Sequence, residues 1–196
     1  MIRAALACLL LALAACGNTD NLILGAASST STTPPVIFED VNSSISGVAT
    51  LSDANGNPTG RAAVVILSGR PDLCNTLKAH RDYFRNPPEA YEAIILIMPL
   101  DFLGTFVIGR GGTPDLATMG EIIAVNGPQT VTPFTAVSSS NCISEIALTN
   151  WADNAGGNAI GSFDMCFADP DNLGLHLFQG RFKTNVCPTL DGTLLP

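Results

Sequence analysis

The sequence predicts an all-β fold, a single antiparallel two-sheet sandwich of about eight or nine strands with one short helical or irregular excursion. Three observations carry that expectation. Short apolar, β-branched runs recur along the chain. Asn, Asp, Gly and Pro clusters punctuate them at intervals that suit hairpins, and no βα alternation appears. No internal repeat stands out, and no boundary divides the body in two.

The strands are placed in order. Ile45 to Leu51 and Ala62 to Leu67 flank Asp53-Ala54-Asn55-Gly56-Asn57-Pro58, which reads as a hairpin around an Asn-Gly turn. Leu73 to Pro88 mixes polar residues with Leu77, Tyr83 and Phe84, and is the short helix or excursion, stopped by Pro87-Pro88. Glu92 to Met98 is too uniformly apolar for a half-exposed strand and is expected to be packed on both faces. Gly104 to Ile108, Thr118 to Val125, Gln129 to Ala136 and Cys142 to Leu148 continue the series, with a reversal at Asn126-Gly127-Pro128. Ala159 to Phe167 and Leu173 to Val186 form a last hairpin about Ala168-Asp169-Pro170-Asp171-Asn172. The second arm sets Leu175, Leu177 and Phe182 against His176, Gln179, Arg181 and Lys183, with a slip near Gln179-Gly180 where a bulge is expected.

The N-terminus is of another kind. Arg3 followed by the apolar run Ala4 to Leu13 and the small pair Ala14-Ala15 makes a secretory signal over residues 1–15. A run of that length is too short to span a bilayer, which needs roughly twenty residues. From Asn18 to Pro35 the chain is rich in Ala, Ser, Thr and Pro. Residues 16–35 are therefore expected to form a flexible stalk. Within it Leu22-Ile23-Leu24 would rest on the membrane or make a docking contact. Residues 36–196 form the domain.

Loss of Arg3 with the signal leaves eight basic against seventeen acidic residues, a formal charge of −9. Such a surface repels phosphate backbones, so nucleic acid is not an expected partner. Only 13% of residues are charged and 46% are hydrophobic, which indicates a packed body rather than disorder. Of six cysteines, Cys8 leaves with the signal and Cys16 heads the processed chain. Cys74, Cys142, Cys166 and Cys187 remain for two disulfides, with three connectivities open. No C-x-x-C occurs, His80 and His176 are not at zinc-ligand spacing, and neither metal nor cofactor is expected.

The stretch Leu13-Ala14-Ala15-Cys16-Gly17 resembles the lipobox of bacterial lipoproteins. The resemblance implies cleavage before Cys16, acylation of its thiol and amine, and anchoring of the body to the lipid bilayer of the cell envelope. Two or more acyl chains anchor stably. By the same resemblance Gly17, where inner-membrane lipoproteins often carry Asp, favours the outer membrane.

The body, with Arg61 to Leu67 before Pro71-Asp72-Leu73-Cys74, then Gly161-Ser162-Phe163-Asp164 and Gly180-Arg181-Phe182 ahead of Cys187-Pro188, resembles the small secreted lipoproteins of myxobacteria. That resemblance implies a β-sandwich and a pairing of Cys74 with Cys187, leaving Cys142 with Cys166. Ile45 to Ala49, Asn55 to Pro58 and Ala62 to Ile66 are also similar to the opening strands of transthyretin-like regulatory sandwich domains.

Catalytic patterns are sparse. Gly-x-Ser-x-Gly is absent, and His80 and His176 sit on polar stretches. The acidic residues Asp53, Asp72, Asp101, Asp164, Asp169 and Asp171 fall mostly in turns, and no two are marked as partners. Asp53, Asn55 and Asn57 begin like a calcium loop, but Val64 stands where the EF-hand glutamate belongs; Asp169, Asp171 and Asn172 offer similar oxygens. The same residues serve turns without metal. The binding-type residues are Trp151, the only tryptophan, and Arg81, Tyr83 and Arg85 in the excursion. The chain is accordingly expected to be no enzyme but a structural or interaction module of the cell envelope. A carbohydrate- or peptide-binding, lectin-like role is the alternative and a hydrolase a more distant one; an envelope protein or glycan would be the partner.

Overall fold

A computed structural model of the chain describes residues 22–27, 41–53, 55–84, 92–100, 103–107, 119–125, 131–138, 143–168 and 175–195. In chain order these form β1 Leu22–Ala27, β2 Ser43–Ser52, β3 Pro58–Ser68, α1 Leu73–Ala79, β4 Glu92–Met98, β5 Gly104–Val107, β6 Met119–Val125, β7 Val131–Val137, β8 Glu145–Trp151, β9 Asn158–Ala168 and β10 Leu175–Val186. A 3-10 helix, Pro188–Gly192, and β11 Leu194–Leu195 complete them.

The strands pair in the order β1-β10-β2-β3-β4-β6-β7-β9-β8-β5, with β11 on β2. Because β9 also pairs with β10, the path from β10 through β2, β3, β4, β6, β7 and β9 returns to its start and the sheet curls on itself. The expected pairings of β2 with β3 and of β9 with β10 are both antiparallel and present. The sheet is mixed, however, and the antiparallel expectation is corrected. β10 runs parallel to β2 through Asn185↔Ile45 and Val186↔Ser46, and β11 runs parallel to β2. Parallel neighbours come from distant parts of the chain, so no turn residue announces them.

Strands β3 and β4 lie between two cores. Their alternate residues Ala63, Val65, Leu67, Ile94, Leu96 and Met98 face inward and meet Phe106, Ile146, Phe163, Phe178 and Phe182. The intervening Ala62, Val64, Ile66, Ala93, Ile95 and Ile97 face outward under Leu73, Leu77, Tyr83, Phe84, Leu190 and Leu195. The uninterrupted apolar run of β4 thus has the cause expected of it, burial on both faces. Each large aliphatic so buried contributes at most about 1.5–3 kcal/mol.

Helix α1 is held by this packing. Its N-cap residue Asp72 is left-handed, with φ 55°, and makes no side-chain cap. The Asp72 carboxylate instead accepts the Asn75 amide at 2.7 Å. Leu73 and Leu77, four apart, present one buried face, and a seven-residue helix without such contacts is marginal.

Two local expectations change. Leu22–Ala27, assigned to the stalk by composition, is strand β1, paired antiparallel with β10 from Leu22↔Arg181 to Ala27↔His176. Backbone pairing with an available strand edge outweighs what its small, polar neighbours suggest. The bulge expected near Gln179-Gly180 is absent, since β10 and β9 pair without a shift from Leu175↔Ala168 to Asn185↔Asn158. Leu177 is the reason: it lies on the outer face, exposed, while Phe178, Phe182 and Thr184 are buried, so alternation is continuous. The shifts fall instead at Leu51/Ser52 and Leu148/Asn150.

Candidate functional site

The outer face of β8, β9 and β10 carries a shallow hollow of about 430 Å³, lined chiefly by Thr149, Ile160, Ser162, Arg181 and Lys183. Its position follows from strand period. Phe182 turns inward and is 1% exposed, which sends Arg181 and Lys183 to the opposite face, both exposed. Across the ladder Ser162 stands opposite Arg181, and Ile160 opposite Lys183. On the other side of β9 the register with β8 shifts between Leu148 and Asn150. The Thr149 hydroxyl donates to the Ile160 carbonyl at 3.0 Å there. Gly161 permits the close approach beneath: a Cβ on it would stand 2.3 Å from the Ala147 carbonyl oxygen and 2.7 Å from the Phe182 ring. In the adjoining row Gln179 donates to the Asp164 carboxylate at 2.9 Å.

A second cleft, of about 250 Å³, lies where the end of β10 passes β2, beside Cys187 and Pro188. Arg61 on β3 pairs with Asp191 of the 3-10 helix across it, both side chains more than half exposed. Asp153 lines the same cleft. The Arg61–Asp191 pair is exposed, and a pair of this kind adds little stability.

Cys74 of α1 is bonded to Cys187, the pairing the resemblance to secreted lipoproteins implies. Cys166, buried on β9, is also disulfide-bonded, while Cys142 lies outside the described residues. Cys16, the signal of residues 1–15, Arg85 and the Asp169, Asp171 and Asn172 turn also lie outside them. Among the described residues no helix is long and apolar enough to cross a membrane, and no group of three or more His, Cys, Asp or Glu is placed to hold a metal ion.

The binding-type residues are not brought together. Trp151 ends β8, half-buried, with its ring packed on the inner core and its backbone opposite Ala159. Tyr83 is fully buried in the outer core, edge-on to Phe84 at 5.7 Å, with the Arg70 guanidinium 5.6 Å above its ring. Burial pushes the Tyr83 phenol above its ordinary pKa, and the Arg70 charge opposes that. Arg81 is exposed but lies over Gly192, where a Cβ would meet its Nη1 at 2.8 Å, and its carbonyl accepts the Leu194 N–H at 3.3 Å. The excursion therefore packs the second core.

His80 is exposed just beyond α1, and His176 sits on β10 opposite Phe167. Asp53 accepts N–H groups of Asn55 and Asn57 at 2.9 and 2.8 Å and the Asn57 side-chain amide at 3.0 Å. Those donors, the Asn57 side chain first, hold its pKa below the ordinary value. An array of N–H groups serves a turn; a calcium loop would turn oxygens inward. Arg181 and Lys183 are legible as a polar strand face, but the register shift of β8 beside the hollow leaves no residue signal.

No known protein family, no curated protein and no solved structure matches this chain.

Proposed function

We propose that this chain is a lipid-anchored module of the bacterial cell envelope, a non-enzymatic platform for interaction. The observation that carries the reading is the Cys74–Cys187 bridge in a body preceded by Leu13-Ala14-Ala15-Cys16. A disulfide across two elements belongs to an oxidising compartment. The motif supplies the address, and acylated Cys16 is the attachment to the bilayer, with the outer membrane as destination.

The test is mass spectrometry of the full chain recovered from the membrane fraction of a bacterial host. A mature N-terminus at Cys16 carrying acyl chains, with the body thiols oxidised, is expected. An unmodified thiol at Cys16, or four free thiols in the body, overturns the reading. Turnover of esters, peptides or glycosides that is lost on replacing His80 or His176 overturns its non-enzymatic part.

A second reading, carbohydrate or peptide binding, has one observation in its favour: Trp151 is only half-buried. Unchanged tryptophan fluorescence across envelope polysaccharides and peptides would remove it.

A further inference from the structure

We infer that the cleft between the end of β10 and β11 binds the acetamido group of an N-acetylated sugar on the backbone of Val48. The inference deepens the carbohydrate-binding reading above, at a place other than Trp151, and rests on that reading for the ligand being a sugar.

The first support is an interruption in the ladder along one edge of β2. The Cys187 N–H donates to the Ser46 carbonyl at 2.8 Å, and the Thr50 N–H donates to the Thr193 carbonyl at 3.2 Å. Backbone groups of a strand point to its two edges by turns, so Ser46, Val48 and Thr50 all address the edge away from β3. β10 ends its register with β2 at Val186↔Ser46, and β11 begins at Leu194↔Thr50. Among the described residues no strand stands opposite Val48 on that edge, and Val48 lines the cleft. One N–H and one C=O are thus offered there side by side.

The second support is that packing fixes the interruption. After Val186 the chain climbs onto the outer face of β2: a Cβ on Gly47 would stand 3.1 Å from the Cys187 carbonyl oxygen and 3.2 Å from the Leu190 side chain. The bond from Cys187 to Cys74 holds this segment on the second core and off the edge.

The third support is the match to the ligand. A secondary amide carries one donor and one acceptor, which is what Val48 lacks. Because Ser46 and Thr50 are already bonded, the edge takes a single amide and not an added peptide strand. The cleft of about 250 Å³ falls below the roughly 300–1,000 Å³ of drug-sized sites and suits one small unit. Val48 and Val186, both half-buried, give apolar surface for the acetyl methyl. Asp153 is exposed in the same cleft, and among the described residues its carboxylate has no hydrogen-bond or ion-pair partner. It is an acceptor for sugar hydroxyls.

The test uses the full chain and follows backbone amides by NMR during titration with N-acetylglucosamine, with glucose, glucosamine and N-acetylalanine methylamide as comparisons. Without ligand the Val48 amide should exchange with solvent faster than those of Gly47 and Ala49, and N-acetylglucosamine should shift and protect it. Glucose and glucosamine, which lack the amide, should bind at least about tenfold more weakly, and Asp153→Ala should weaken N-acetylglucosamine about tenfold. Val48→Pro removes only the N–H facing the cleft, a change an open strand edge tolerates, and should abolish binding. A Val48 amide already protected without ligand overturns the inference whether or not that variant folds. Equal affinity for glucose, or for the peptide-like N-acetylalanine methylamide, also overturns it. An envelope polysaccharide that binds without moving the Val48 amide overturns this site and leaves the carbohydrate reading standing.

Discussion

Cys74 and Cys187 are joined with their Cα atoms 5.7 Å apart although 113 residues separate them in sequence. The bond ties α1 to the segment leaving β10, and so clamps the outer layer of the second core onto β2, β3 and β4. A cross-link closing a loop of roughly a hundred residues restricts the unfolded chain by several kcal/mol in the entropic account, a mechanism that is model-dependent. Replacing both cysteines by alanine is expected to lower unfolding free energy by about 2–4 kcal/mol in urea titrations. Amide exchange should rise first in α1 and the 3-10 helix and last in β3 and β4, because the latter are packed on both faces. Uniform acceleration across all these elements would show that the bridge clamps nothing locally.

Gly161 and Gly60 separate two kinds of glycine. A Cβ at Gly161 would meet backbone oxygen at 2.3 Å and the buried Phe182 ring at 2.7 Å; at Gly60 nothing lies within 4 Å. Gly161→Ala is therefore expected to destabilise by about 1–3 kcal/mol through overpacking. Gly60→Ala should be neutral or gain up to about 1 kcal/mol by restricting the unfolded chain. Thermal or urea unfolding of the two variants decides. The reverse order would mean that the approach of β8 and β9 over Gly161 is not a constraint.

The parts of this fold visible in sequence are those set by near neighbours. Asp53 to Pro58 turns β2 into β3, and Ala93 to Met98 is apolar because both its faces are covered. What escaped depends on contacts far apart in sequence. Leu22–Ala27 looks like stalk until β10 offers an edge, and Pro188–Gly192 and Leu194–Leu195 have too few residues to show a period. Leu177 misleads in a different way: an apolar residue on an exposed face mimics a register slip. The same limit hides the hollow, for Arg181 and Lys183 are legible on one strand, but the residues that line it with them come from β8 and β9.

Tyr83 gives a pH signature. Desolvation raises its phenol pKa, with Arg70 acting in the opposite direction. The folded-state value thus lies above the unfolded one near 10, so its contribution to stability is fully present below pH about 10 and is lost as pH rises toward the folded value. Ultraviolet titration should show tyrosinate forming at Tyr83 at higher pH in the folded protein than in urea. Arg70→Gln should push the folded value higher still, since it removes the charge that favours tyrosinate. An unchanged or lower value in that variant would mean that the cation above the ring is not felt by the phenol.

Ser46 and Ser144 are both fully buried, yet their hydroxyls differ. Ser144 Oγ accepts the Cys166 N–H at 2.9 Å and donates to the Cys166 carbonyl at 3.4 Å, fastening the start of β8 to β9. Among the described residues the Ser46 hydroxyl on β2 has no hydrogen-bond partner. A buried hydroxyl without a partner costs about 1–3 kcal/mol of desolvation, whereas deleting one that accepts from a buried N–H imposes a cost of that size on the donor left behind. The two alanine replacements remove the same oxygen, so cavity size does not separate them. Ser46→Ala should leave stability unchanged or raise it by up to about 1 kcal/mol, and Ser144→Ala should lower it by about 1–3 kcal/mol. Urea denaturation of both variants measures the difference. A loss at Ser46 as large as that at Ser144 would require a partner for the β2 hydroxyl, and with it a different packing where β2 meets the inner core.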